Sequence, residues 1–257
     1  NVLGHEVDVR KAIMFNILGE VTLFISAIYC YQRKITLIQL EYIIKALSLP
    51  IVSVITYLFL YSPSIKDVVT STQSNFETSG GFGPNQVSTI LGLGMFVFFA
   101  LFLLYSTTKK MLILNLALTV LIAYRGIVTF SRGGVITGVF MMVSLIGLVY
   151  LFSNKKVRSK IVAISLFLVL GGGLVWSYTI YTTNGMIEYR YANKDARGRE
   201  KDDRLGGREE IGQTEIKAFM ENPIFGIGVG KNAEYREEII GHKVSSHNEI
   251  TRMLADH

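Results

Sequence analysis

Six apolar runs, separated by short polar or basic turns, constrain this chain more than any other feature. They cover residues 12–31, 46–61, 85–105, 111–130, 135–152 and 161–181. Each approaches the roughly 20 residues that a helix needs to cross a hydrocarbon core. In lipid every backbone N–H and C=O must be satisfied inside the segment, so runs of this kind form helices. Charged residues make up 18% of the chain, below the roughly 25% of soluble domains. The single cysteine, Cys30, lies inside the first run, so there is no disulfide framework. The expected fold is therefore an all-α polytopic membrane protein with about six transmembrane helices. Residues 1–183 would form the bundle and residues 184–257 a long, mostly helical loop.

The net charge of +6 is unevenly placed. Residues 1–183 hold 14 Lys and Arg against 6 Asp and Glu, whereas residues 184–257 hold 12 against 14. The basic excess belongs to the membrane part, where it sets orientation. No separate basic face with interleaved aromatics is present, which argues against a nucleic-acid partner. Arg33 and Lys34, Lys109 and Lys110, and the NKKVRSK stretch at 154–160 follow the first, third and fifth runs. All three turns thus fall on one side of the membrane, the cytoplasmic side by the positive-inside rule. The 62–84 connector, the SRGG turn at 131–134 and the 184–257 segment share the opposite face. Residue 1 would also lie on that outer face, so an odd number of further spans is expected upstream.

Several positions shape these elements. Glu20 is a carboxylate inside the first run, costly at mid-membrane. Residues 35–45 read as an amphipathic lead-in with Glu41 and Lys45 four apart. The second span after it is short, with Pro50 in its first turns. Gly171, Gly172 and Gly173 suggest a kink or a close-packing point in the sixth run. Beyond it, residues 189–208 are charge-rich and expected to be mobile. Residues 208–222 have helical spacing, Pro223 ends that helix, and GIGVG at 226–230 is a tight backbone passage. It is no P-loop, because no GK[ST] follows. A short helix over 233–240 comes next. Ser246 and Glu249 then have the spacing of a capping box that starts another.

The candidate chemistry lies in a few side chains. If Ser246 caps the last helix, His247 and Asn248 sit in its first turn. Orphan N–H groups and the positive helix end favour an anion there and keep an imidazole neutral. On spacing alone, a surface histidine at a helix start is the simpler account of His247. Arg132 lies where the fourth run meets the outer surface. Arg125 is seven residues earlier, about 10 Å of helical rise away. A planar guanidinium suits phosphate oxygens. Interface snorkelling also accounts for Arg132, an internal ion pair, with Glu20 for example, for Arg125, and an exposed surface charge for Arg208. His242 and His247 have no acidic pair at a matching spacing, so no metal site is expected.

Taken together, the pieces are more specific than any one of them. G-P-N-x-x-S (83–88) precedes one span and SRGG follows two spans later. Gly207-Arg208, NPIFGIGVG (222–230) and Ser246-His247-Asn248-Glu249 then share one long outer loop. This order closely resembles the O-antigen ligase and O-antigen polymerase superfamily of bacterial membrane glycosyltransferases, over roughly residues 83–256. The resemblance implies further helices beyond the loop, and a site on the periplasmic face of the bacterial inner membrane. It implies an enzyme that takes a glycan from an undecaprenyl-diphosphate carrier and passes it to an acceptor hydroxyl, without metal, ATP or other cofactor. Arg132, Arg208 and His247 fall on the family's two arginines and its histidine. Arg132 and Arg208 would neutralise the departing diphosphate and His247 would take the acceptor proton. Arg125 and Asn248 would be further diphosphate contacts. The acceptor expected first is lipid A-core, as for a ligase. A polymerase extending lipid-linked repeats, a protein O-glycosyltransferase, and a transporter of lipid-linked glycan are the alternatives; only Glu20 and Arg125 speak for the transporter.

Overall fold

A computed structural model describes residues 9–200, 207–241, 244–246 and 248–256. Eleven α-helices account for most of them: α1 (Val9–Cys30), α2 (Leu37–Tyr61), α3 (Ile65–Val68), α4 (Pro84–Ala100), α5 (Lys109–Ile127), α6 (Arg132–Phe152), α7 (Lys155–Thr182), α8 (Met186–Tyr191), α9 (Arg208–Glu221), α10 (Asn232–Ile240) and α11 (Glu249–Asp256). A turn of π-helix, Leu101–Tyr105, continues α4. Among the described residues there is no named strand, only an isolated bridge between Lys194 and Glu200. The protein is an all-α polytopic membrane protein.

Among the described residues, five helices are long and apolar enough to span a membrane: Leu37–Tyr61, Pro84–Tyr105, Lys109–Ile127, Arg132–Phe152 and Lys155–Thr182. The first apolar run expected from the sequence is α1, whose described apolar stretch is Asn16–Cys30. Its polar side chains Asn16 and Glu20 both accept from Arg252. The amphipathic lead-in and the short second span are in fact one helix, α2, running through Pro50. A capping box starts it, with Thr36 Oγ1 accepting from the Gln39 amide (3.2 Å) and Gln39 Oε1 accepting from the Thr36 amide (3.0 Å). Glu41 and Lys45 pair at 2.5 Å, as their spacing predicts.

Tertiary contacts divide the chain into two units, residues 35–201 and residues 1–34 with 202–257. The sequence boundary at 184 marks where the apolar runs end. The contact boundaries fall elsewhere, because α8 packs with the bundle and α1 bonds to α11.

In the first unit α4 is central and packs against α2, α5 and α6. Ile51, Leu58, Leu91, Met95, Phe98 and Ile122 form its core. The contact between α4 and α6 is made by small residues. A Cβ built on Gly134 would lie 2.0 Å from the Ser88 carbonyl oxygen, and one on Gly92 would lie 2.0 Å from the Gly134 carbonyl oxygen. These glycines let two backbones touch. Gly171, Gly172 and Gly173 do not have the close-packing role expected of them, since a Cβ on any of them would meet nothing within 4 Å. Large apolar side chains on α6 and α7, Phe140, Phe152 and Leu166 among them, are exposed, as a lipid-facing surface requires.

Residues 189–200 also differ from expectation. They are held rather than loose. Ile187 of α8 is fully buried, and Asp195 accepts bonds from the amides of Arg197 (2.8 Å) and Arg199 (2.9 Å). Residues 201–206 lie outside the described part.

In the second unit α9, α10 and α11 pack around a polar centre. Glu215 is fully buried; it accepts from Arg236 Nη1 at 2.7 Å and from Thr251 Oγ1 at 2.5 Å. GIGVG turns the chain between α9 and α10. Gly226, Gly228 and Gly230 have φ of 59°, 100° and 86°, values that a residue with a Cβ rarely adopts. The passage is tied down by the Ile227 amide, which donates to the Ala255 carbonyl at 2.8 Å.

Candidate functional site

The two upstream motifs meet in the bundle unit. Ser88 of the G-P-N-x-x-S motif donates from Oγ to the Ser131 carbonyl at 2.9 Å. Ser131 Oγ in turn donates to Asn85 Oδ1 at 2.8 Å. With Gly134 seated on Ser88, the first turns of α4 and α6 lie side by side. Neither helix start has a side-chain cap, so orphan amides and two positive helix ends gather at one place. Arg132 is the first residue of α6 and half-buried. A cation at a helix N-terminus works against the helix dipole, and an anion beside it relieves both. Among the described residues the only hydrogen-bond partner of its guanidinium is the Arg190 carbonyl, at 3.4 Å.

A second guanidinium stands at the same turn. Arg190 of α8 donates from Nε to the Phe130 carbonyl at 2.9 Å and from Nη2 to Ser74 Oγ at 3.4 Å. Tyr191, beside it, packs edge-on to Trp176 with ring centroids 5.0 Å apart. Burial pushes its phenol above the ordinary value, against the opposing pull of Arg132 and then Arg190. The sequence motifs gave no sign of Arg190. Its signal is a fold contact across 58 residues of chain, inside a run that reads as solvated charge.

Arg125 serves a different purpose from the anion contact expected of it. Its guanidinium is buried, and Nη2 is shared between the carbonyls of Leu58 (3.2 Å) and Thr78 (3.0 Å) and the Ser62 hydroxyl (2.7 Å). These groups end α2 and the 3₁₀ turn Glu77–Ser79, so Arg125 ties the polar connector to α5. Glu20, its expected ionic partner, pairs instead with Arg252 of α11 at 2.7 Å.

In the loop unit, Arg208 and Asn248 line one cleft of about 570 Å³, together with Gly212, Glu249 and Ile250. Arg208 is exposed at the start of α9, after Gly207 with φ 74°. Ser246 does not cap the last helix. That helix begins at Glu249, and Asn248 is the cap: its Oδ1 accepts from the Ile250 amide at 3.1 Å and its carbonyl accepts from the Arg252 amide at 3.1 Å. An Asn at this position wins because its short acceptor reaches the second helical amide, whereas Ser246 Oγ bonds to the Asn248 carbonyl (3.2 Å). His247 lies outside the described residues.

Behind this cleft α11 is held by Arg252. Its guanidinium bonds to Asn16 Oδ1 (2.7 Å), Glu20, Glu249 and Asp256 (2.9 Å). The hydrogen bond from Arg252 holds the Glu249 carboxyl down at about 2, so Glu249 stays ionised at the cleft wall. Among the described residues no group of three or more His, Cys, Asp or Glu is placed to hold a metal ion.

The structure thus brings Arg208 and Asn248 together, joins the G-P-N-x-x-S and SRGG motifs around Arg132, and commits Arg125 to the fold. A family model described as O-antigen ligase matches residues 117–257, just over half of the chain. That span takes in Arg125, Arg132, Arg190, Arg208, His247 and Asn248. No curated protein and no solved structure matches.

Proposed function

Because the chain belongs to the O-antigen ligase family, we propose that it is a glycosyltransferase of the bacterial inner membrane. In this reading it moves a glycan from undecaprenyl diphosphate to a hydroxyl of lipid A-core on the periplasmic face. The acceptor oxygen attacks the anomeric carbon as the bond to the diphosphate breaks, which inverts that centre. His247 takes the acceptor proton. Arg132 and Arg208 neutralise the negative charge that grows on the leaving diphosphate, with Asn248 as a further donor. Neither a metal nor a nucleotide is needed for this displacement.

The observation that carries the reading is the convergence at Arg132. Two uncapped helix starts and a guanidinium without a carboxylate partner among the described residues make a place where an anion is strongly favoured. The shared cleft of Arg208 and Asn248 supports the same chemistry in the loop. A transporter reading loses its two supporting charges, since Glu20 is paired to Arg252 and Arg125 to carbonyl groups. The three basic turns favour the periplasmic side for the SRGG face.

The test is glycan transfer by the purified protein, given an undecaprenyl-diphosphate glycan and either lipid A-core or a second lipid-linked repeat. Transfer to lipid A-core alone supports the ligase. Transfer to the repeat makes it a polymerase, and transfer to neither sinks both. His247→Ala and Arg132→Ala are each expected to lower turnover by at least 100-fold, with the melting temperature unchanged. Wild-type turnover in His247→Ala would remove the base assignment.

A further inference from the structure

We propose that Arg190 is a positioning residue for Arg132, and that the pair forms a reciprocal latch holding the anion-facing guanidinium in place. The inference rests on the reading of Arg132 as a diphosphate contact. Each arginine of the pair is fixed by the backbone next to the other. Arg190 Nε holds the carbonyl of Phe130, two residues before Arg132, and Arg132 Nη1 holds the carbonyl of Arg190.

The turn that carries Arg132 needs such a holder. Phe130 has φ 59° while its side chain is almost fully buried. A bulky residue in the left-handed region is strained, and it persists only where its surroundings over-determine it. Here they do. The Asn75 amide donates to the Thr129 carbonyl (3.1 Å), Thr129 Oγ1 donates to the Gly126 carbonyl (2.8 Å), and the Ser131 amide donates to Thr129 Oγ1 (3.2 Å). Arg190 satisfies the carbonyl of the strained residue itself. The helix that carries Arg190 is anchored independently, by buried Ile187 and by Tyr191 against Trp176. A lysine could not replace it. The guanidinium offers one fixed fork to both Phe130 O and Ser74 Oγ, whereas an ammonium is a single point donor.

Trp176 is the chain's only tryptophan, and its contact with Tyr191 makes its emission a reporter for this turn. The experiment titrates the detergent-solubilised full chain with farnesyl diphosphate and follows that emission. Arg190→Lys is expected to weaken binding about tenfold although the charge is kept, and Arg132→Lys to do the same. Combined, the two should be no weaker than Arg132→Lys alone, since a positioning residue acts only through its partner. Losses that multiply in the double variant, or an Arg190→Lys protein that binds like the wild type, overturn the proposal. A second measurement separates the latch from the diphosphate reading. Hydrogen exchange of the 130–134 amides should speed up in Arg190→Lys without ligand; unchanged exchange there overturns the latch. Absent farnesyl diphosphate binding by the wild type, with faster exchange in the variant, would count against the diphosphate reading and leave the latch standing.

Discussion

Two pairs of identical residues close in sequence show how far a side chain's surroundings decide its role. Gly133 and Gly134 are adjacent in the SRGG motif, yet a Cβ on Gly133 meets nothing, while one on Gly134 strikes the Ser88 backbone. Backbone cannot yield as a side-chain tip can, so Gly134→Ala should cost about 1–3 kcal/mol or more and lower the melting temperature in detergent. Gly133→Ala should stay within about 0.5 kcal/mol; equal melting temperatures for the two variants would contradict the observed packing. Arg125 and Arg132 form the second pair. Removing the Arg125 guanidinium leaves the buried Leu58 and Thr78 carbonyls without this donor, at about 1–3 kcal/mol for each group left unsatisfied. Arg125→Gln should therefore melt earlier than the wild type. Arg132→Gln should melt like the wild type and lose transfer. The reverse pattern would exchange their roles.

Among the elements, α11 carries the most concentrated electrostatics. Asp256 is buried at its end, where it faces Arg252 on its own helix, Arg236 from α10 and Glu215 from α9. Burial pushes its carboxyl up to about 6, against the pull of the two arginines. Between about pH 4 and 6 the folded protein then holds a proton that the unfolded chain has released. This stability is fully present below the ordinary aspartate value and is lost as pH rises through about 6. The melting temperature of the wild type relative to Asp256→Asn should fall from pH 5 to pH 7, and a flat difference would contradict it. Glu249 on the same helix contributes in the opposite sense. Its carboxyl is lowered from 4.5 to about 2, so what it adds is full above about pH 4.5 and is lost as pH falls through about 2, below the pH 5 to 7 range of that comparison. The capping residue of α11 also belongs to this scale. Ser246 and Asn248 are both good caps in sequence, and the choice between them was made by where α11 docks on Glu215 and Glu20.

Across the whole molecule, the basic turns at Lys109–Lys110 and 154–160 predict which face meets the cytoplasm. With Cys30→Ser as background, Asn154→Cys should react with a membrane-impermeant maleimide only after the cells are opened. Glu200→Cys should react in intact spheroplasts; the opposite pattern would invert the proposed orientation. The helical class, the membrane spans and the family followed from the sequence alone. Apolar length and turn chemistry are local properties, and the motif order is written along the chain. The use of each polar group was decided by tertiary structure. Arg125 ties two carbonyls, Glu20 meets Arg252 across 232 residues, and Arg190 reaches Phe130 only because α8 folds back onto the bundle. The reason is physical: a buried charge takes its meaning from whatever satisfies it, and such partners lie far off in sequence, where no periodicity records them.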